Sequence, residues 1–207
     1  MKIALHRHAP RGSLILALLL GACTGLQPTP VENPNLHVLQ PRPTVTAAPA
    51  KRDLVLEVGV TRAAPGYDTP QMAYVKKPYE LDYFANNRWA DAPARMLGPL
   101  LAQALEQSGS FRAIVQPPGG AQADLRVNAE LIRLQQDFQT RPSRVELTLR
   151  VQLVDVRARR VLATRTFTET ENAPSDDAYG GVTAANAALR RVLEQVAEFS
   201  VVESANR

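Results

Sequence analysis

Residues 143–156 read SRVELTLRVQLVDV. Val145, Leu147, Leu149, Val151 and Leu153 alternate with Glu146, Thr148, Arg150 and Gln152, the period of two that sends successive side chains to opposite faces of a strand. A strand divided this cleanly has one face on a core and one toward water or a partner. The preceding stretch ADLRVNAEL (123–131) alternates in the same way through Leu125, Val127, Ala129 and Leu131. RVLATRTFTET (160–170) follows across a tight turn at Ala158-Arg159, so the last two strands read as a hairpin.

Upstream, DLVLEVGV (53–60) is a further alternating strand, followed by the turn-rich TRAAPGYDTP. MAYVKKPYELDYF reads as two short strands around Lys77-Pro78, and FRAIV (111–115) as another. Two helices complete the pattern. The first has Asp91 as expected N-cap, Pro93 in its first turn, Met96, Leu97, Leu100, Leu101, Ala104 and Leu105 on one face, and Gly109 as its stop. Pro99 is awkward there, since it removes a backbone donor and is expected to kink the helix or delay its start. The second runs from about Asp177 to Ser204, with Val182, Ala185, Leu189, Val192, Leu193, Val196 and Phe199 as its buried stripe. Arg190, Arg191, Glu194 and Glu198 read as its solvated face. The order implies an α/β sandwich: a mixed sheet and two main helices, with helices on at least one sheet face. Residues 51–207 suffice for a single α/β domain. No period of 20 to 50 residues suggests a repeat array.

The amino terminus carries a different signal. Lys2, Arg7 and Arg11 precede the apolar run Leu14 to Leu20, which is too short to cross a bilayer and has the form of a secretory signal peptide. Its exit, Leu20-Gly21-Ala22-Cys23, resembles the lipobox of bacterial lipoproteins, in which the cysteine sulfur receives a diacylglycerol, the chain is cut before it and the new amino terminus is acylated, palmitate being a common acyl group. Cys23 is the only cysteine. A lone cysteine is more often a small buried hydrophobe, and a plain signal peptide is the other alternative, but the order of features favours lipid attachment at Cys23. Residues 1–22 are then the signal peptide. Residues 23–50 hold six of the sixteen prolines and read as a lipidated, Pro-rich tether, with a short strand at 36–39.

Removing residues 1–22 takes away three basic groups and no acid, leaving 21 Lys and Arg against 20 Asp and Glu. The basic excess belongs to the export segment, so it supports no nucleic-acid partner. With Cys23 modified no disulfide can form, and the fold stands on packing.

Chemistry is sparse. His6 and His8 lie in the signal segment and His37 in the tether, so residues 51–207 contain no histidine. A Ser-His-Asp or Cys-His nucleophile and a zinc site of His/Cys type are excluded there. No catalytic residue, metal site or cofactor is expected. Asp82, Asp91, Asp137, Asp176 and Asp177 are candidates for paired-carboxylate chemistry, but near turns and element ends Asp more often caps or solvates. Gly119-Gly120 opens no helix, and Gly180-Gly181, at a helix start, lacks the Lys-Ser/Thr pair of a phosphate loop. Binding, tethering and assembly are the functions left.

The stretch PGYDTPQMAYVKKPYELDYFANNRWADAPARMLGPLLAQALEQSGSFRAIV (65–115) resembles the ABC-type transport auxiliary lipoprotein family, including its PqiC-like intermembrane-transport branch. The likeness is carried by Pro65, Tyr67 and Asp68 at a turn, by Met72 and Tyr74 on the next strand, by Tyr83, Trp89 and Pro93 opening a helix, and by Ser108, Gly109 and Phe111 closing it. Gly66 and Pro99 depart from the family pattern. The resemblance implies a fold similar to the N-terminal domain of TolB, a periplasmic location at the outer membrane, and partnership with an ABC transporter and a mammalian-cell-entry (MCE) domain protein in lipid transport. Thr24 after the cysteine, rather than Asp, fits the outer membrane. A homo-oligomer is left open.

Tyr67, Tyr74, Tyr83, Arg88 and Trp89 are the candidate partner-binding residues, because Trp, Tyr and Arg dominate binding hot spots. The competing reading is a packed aromatic corner before the helix. Two other functions compete: a lipoprotein activator of an envelope enzyme such as a peptidoglycan synthase, and a direct lipid carrier, which needs an apolar cavity of roughly 300–1,000 Å³.

Overall fold

The alternation at 143–156 becomes strand β8 of a nine-stranded mixed sheet. In the computed structural model the described residues are 33–46, 51–119 and 122–207; Cys23, the signal segment and half of the expected 23–50 tether lie outside them. In chain order the elements are β1 (Asn35–His37), β2 (Arg52–Val58), β3 (Arg62–Ala63), β4 (Gln71–Val75), β5 (Asp82–Trp89), α1 (Pro93–Gln107), β6 (Phe111–Val115), β7 (Leu125–Asp137), β8 (Arg144–Asp155), β9 (Arg160–Asn172) and α2 (Ala178–Glu203), closed by a 3-10 turn at Ser204–Asn206.

β7, β8 and β9 form a long antiparallel meander, paired from Leu125↔Asp155 to Asp137↔Arg144 and from Arg144↔Asn172 to Asp155↔Arg160. The β8–β9 turn is tight because Arg159 takes a left-handed φ of 52° and Asp155 Oδ1 accepts the Ala158 amide at 2.9 Å. The second edge of β7 is shared in parallel by three short segments. β2 takes its start (Leu56↔Leu125), β3 its middle (Arg62↔Glu130) and β4 its end (Tyr74↔Gln136). Single bonds from Gly59 N to Val127 O and from Ala64 N to Leu131 O continue the ladder between them. β2, β3 and β4 therefore act as one interrupted strand, with β6 flanking the first part and β5, then β1, the last. One interruption is at Gly59, where a Cβ would lie 2.9 Å from Asn128 Oδ1. Another is at Gly66, with φ +89°.

Both helices pack on the same sheet face. Leu149, Val151, Leu153, Leu125, Val127 and Leu131 are buried beneath Leu97, Leu101 and Leu105 of α1 and Leu189, Val192, Val196 and Phe199 of α2. A bulge between Leu131 and Arg133 shifts the phase of β7, so Leu131 and Leu134, three apart, are both buried. The period-two reading loses β7 at that point, and the strand runs six residues beyond it.

Two helix expectations change. α1 begins at Pro93 with Ala92 as its cap residue, and the expected N-cap Asp91 instead accepts the Ala92 amide and grips Arg95. Pro93, a residue that a first turn tolerates, has no amide to satisfy, the Arg95 and Met96 amides bond to the Ala92 carbonyl, and Pro99 sits within the helix without delaying its start. α2 starts where expected and is capped there: Asp177 Oδ1 accepts the Gly180 amide at 2.7 Å. Its polar stripe, however, is not simply solvated. Arg191 pairs with Glu169 and Glu171 on β9 at 2.7 Å each.

That stripe also holds the amino-terminal segment. Where proline density predicts a tether through residue 50, the described stretch after β1 lies along α2. Leu39, Pro41 and Pro43 are buried in alternation with exposed Gln40, Arg42 and Thr44. Asn186 Oδ1 accepts the Gln40 amide at 2.6 Å and Glu194 Oε1 the Thr44 amide at 2.8 Å. Prolines present no amide to satisfy, so a Pro-rich extended chain docks once its few remaining donors meet polar side chains.

Candidate functional site

The candidate residues come from one supersecondary unit, β4, β5 and the loop leading into β4, but β5 places its side chains on opposite faces and at opposite ends. Trp89, at the end of β5, is 4 % exposed and packs in the core with Leu39 and Met72. It serves packing and contributes no surface. Arg88, one residue earlier, is exposed opposite Leu36 of β1 and Gln71 of β4.

Tyr67 and Tyr83 act together on the loop between β3 and β4. Tyr83 Oη donates to the Gly66 carbonyl at 3.0 Å, and Tyr67 Oη donates to Gln135 Oε1 on β7. Burial pushes the Tyr67 hydroxyl above its ordinary value, opposed by the nearby Arg133 guanidinium. Both phenols are therefore committed to holding the loop against the sheet.

Tyr74 stands apart from them. Its ring centroid lies 4.8 Å from that of Phe84 and 5.8 Å from that of Phe138, and Lys76 Nζ lies 4.8 Å from its centre. These groups, with Thr140, Arg141 and Asp176, line an open cleft of about 550 Å³ at the end of the sheet where β4 and β7 finish and β5, β8 and α2 begin. Of the five candidates, Tyr74 and the cleft-lining Tyr83 reach this aromatic and basic site. Phe138 and Arg141 were missed from sequence, because the β7 bulge hid where the strand ends; an apolar residue just past a long alternation was the available signal.

The carboxylates hold turns. Asp176 Oδ1 accepts the Ser143 amide at 2.7 Å, Asp137 Oδ1 accepts that of Gln139 and its Oδ2 pairs with Arg144 at 3.1 Å, and Asp91 is bound to Arg95. The backbone amides of Ser143 and Gly180 hold Asp176 and Asp177 below the usual carboxylate range. Low values of this kind suit acceptors of fixed hydrogen bonds, not a general acid, which needs a raised one. Among the described residues no three His, Cys, Asp or Glu side chains gather as a metal-holding group.

Two further clefts are open and mixed in character. One, of about 570 Å³, lies on the sheet face opposite α1 and α2, among Glu57, Arg62, Arg126, Glu130 and Arg150, and the other, about 600 Å³, lies beside α2 at Thr44–Thr46. Between sheet and helices, near Met72, Trp89 and Ala185, the free space is about 10 Å³. That is room for one water, not an acyl chain. No helix among the described residues is long and apolar enough to cross a membrane.

Comparison with known proteins adds three findings. The family model for the ABC-type transport auxiliary lipoprotein component matches residues 37–197. A crystal structure of a Xanthomonas campestris protein of the DUF330 family superposes with TM-score 0.74 at 23 % identity, covering 83 % of this chain and 97 % of that one. A second solved structure, titled only as an uncharacterized protein, gives TM-score 0.63 at 15 % identity over 81 % and 98 %. At these identities the likeness is one of fold. No curated protein matches.

Proposed function

Because the chain belongs to the family of ABC-type transport auxiliary lipoprotein components, we propose that it is a non-enzymatic outer-membrane lipoprotein, anchored through Cys23, that docks and helps assemble an ABC/MCE-type system moving lipids between bacterial membranes. The observation that carries this reading is the extent of the family match. It runs from the last residue of β1 into the final turns of α2, so the whole α/β domain, rather than one motif, is the matched unit. Turn-holding carboxylates and a filled interior support a role in binding over one in catalysis or carriage. The face of β7, β8 and β9 opposite α1 and α2 and the aromatic cleft at Tyr74 are the surfaces such a component could present.

The test is cross-linking of the lipidated protein in intact cells, gentle purification from the outer-membrane fraction, and mass spectrometry of what accompanies it. An MCE-domain protein with its ABC permease is the expected result. Recovery of peptidoglycan synthases, with no transporter subunit, would overturn it in favour of the activator reading.

A further inference from the structure

The docked amino-terminal segment shortens the chain available as a tether. Ten residues, 24–33, separate Cys23 from Pro34, a reach of roughly 35–40 Å if fully extended. β1 also fixes a direction. It pairs in parallel with the last residues of β5, Asn35 opposite Asn87 and His37 opposite Trp89, so the described strand runs away from the end at which β5 begins. That end carries the turn between β4 and β5 and the aromatic cleft.

The side chains there differ from those at the opposite end. Tyr79, at the tip of the turn, is fully exposed in a left-handed conformation with φ 66°. Lys76 and Lys77 flank it, Lys77 pairing with Glu80 at 3.3 Å. Tyr179, in the first turn of α2, is 70 % exposed. Tyr74, Phe84 and Phe138 wall the cleft beside Lys76 and Arg141. At the opposite end, the β8–β9 turn (156–159) carries exposed arginines but no aromatic ring; Arg157 pairs there with Asp124 at 2.9 Å and Arg207 with Asp155 at 2.8 Å. Amphipathic aromatic rings and long cationic side chains settle at the boundary between headgroups and hydrocarbon, and lysine and arginine near an anionic bilayer are attracted to it.

We infer that the end of the domain carrying Tyr79, Lys76, Lys77 and Tyr179 rests on the lipid surface in which the Cys23 lipid is embedded. The inference builds on the anchoring proposed above and adds an orientation. The aromatic end lies against the headgroups, and the end with the β8–β9 turn points away from the bilayer. A domain held in this way presents its charged sheet face sideways and its far end toward whatever crosses the periplasm.

Lipidation consumes the only thiol, so an added cysteine is a unique labelling site. The full-length lipidated chain carrying Tyr79→Cys, or Ala158→Cys in the β8–β9 turn, is labelled with an environment-sensitive fluorophore. Each is reconstituted into vesicles of phosphatidylethanolamine with a minority of phosphatidylglycerol and a nitroxide-labelled lipid. The expected result is blue-shifted emission and several-fold stronger quenching at position 79 than at 158, with the quenching reduced by Lys76→Glu. Both positions are exposed, so the melting midpoint should be unchanged in each variant. Vesicle flotation that depends on Cys23, with equal and weak quenching at both positions, overturns the orientation and leaves the anchor standing. Loss of flotation from the unsubstituted protein overturns both.

Discussion

The two faces of the β7–β8 pair are built from the same strands and have opposite chemistry. On one, Leu125, Val127, Leu131, Leu147, Leu149, Val151 and Leu153 are buried under two helices. On the other, Arg126 meets Glu57 at 3.0 Å, Arg133 meets Glu146 at 3.3 Å and Arg150 meets Glu130 at 3.8 Å, with no helix of the described residues above them. The difference teaches where the fold is specified. Closely packed apolar contacts tolerate little change, whereas half-exposed ion pairs are screened and exchange readily with water. The covered face fixes the architecture, and the open face is left free to be shaped by function.

Neighbouring residues on β8 should separate the two faces most sharply. Leu149→Ala removes a fully buried side chain and is expected to cost about 2–5 kcal/mol, read as a loss of denaturation midpoint in urea. Arg150→Gln, one position on, serves as its comparison, and equal losses would sink the distinction.

Seating of the helix layer gives the next largest effect. A Cβ on Gly180 would stand 2.1 Å from the carbonyl oxygen of Ser175, so Gly180→Ala should destabilise by about 1–3 kcal/mol. Thermal melting measures it, and an unchanged midpoint would mean the α2 entry is loose.

Acid should loosen the same layer. Asp176 ties the β7–β8 turn to the start of α2, and Asp177 caps the helix. Both titrate below their ordinary value, chiefly because they accept backbone amides. A carboxylate whose folded value is depressed contributes stability above its unfolded value, near pH 4, and loses it as the pH falls through the folded one. Melting midpoints should hold from pH 7 to about pH 5 and fall below about pH 4, less steeply in Asp176→Asn. A curve of the same shape in that variant would assign the acid sensitivity elsewhere.

The smallest effect belongs to the open face. Both partners of the Arg150–Glu130 pair are about half exposed, so Arg150→Gln should cost less than about 1 kcal/mol and less still in high salt.

How much was readable follows the same division. β8 was legible because one covered face imposes strict alternation, β9 because a tight turn joins it to β8, and α2 because its stripe faces that same core. The end of β7 was not, since a bulge changes which residues share a face. Asp91 was misread as a cap because a carboxylate before a helix can serve its own neighbour's amide and an arginine one turn on equally well. Among the candidate site residues, Tyr74 was placed by its strand in an aromatic cleft. Trp89 was drawn into the core instead, and no feature of its sequence context separates a ring that packs from a ring that waits for a partner.

The sequence by itself determined the layers. Periods of two and near 3.6 are local, and each names the face that must be covered. It determined as well that residues 51–207 would hold no histidine-based chemistry. Only the tertiary structure decided that three short segments share one edge of β7, that a proline-rich stretch lies on α2 rather than hanging free, and that aromatics from two turns and a helix gather at one end. Those outcomes depend on contacts between residues far apart in the chain, Thr44 with Glu194 and Tyr74 with Phe138 among them. Local pattern carries no information about which distant surface will satisfy a given amide or ring.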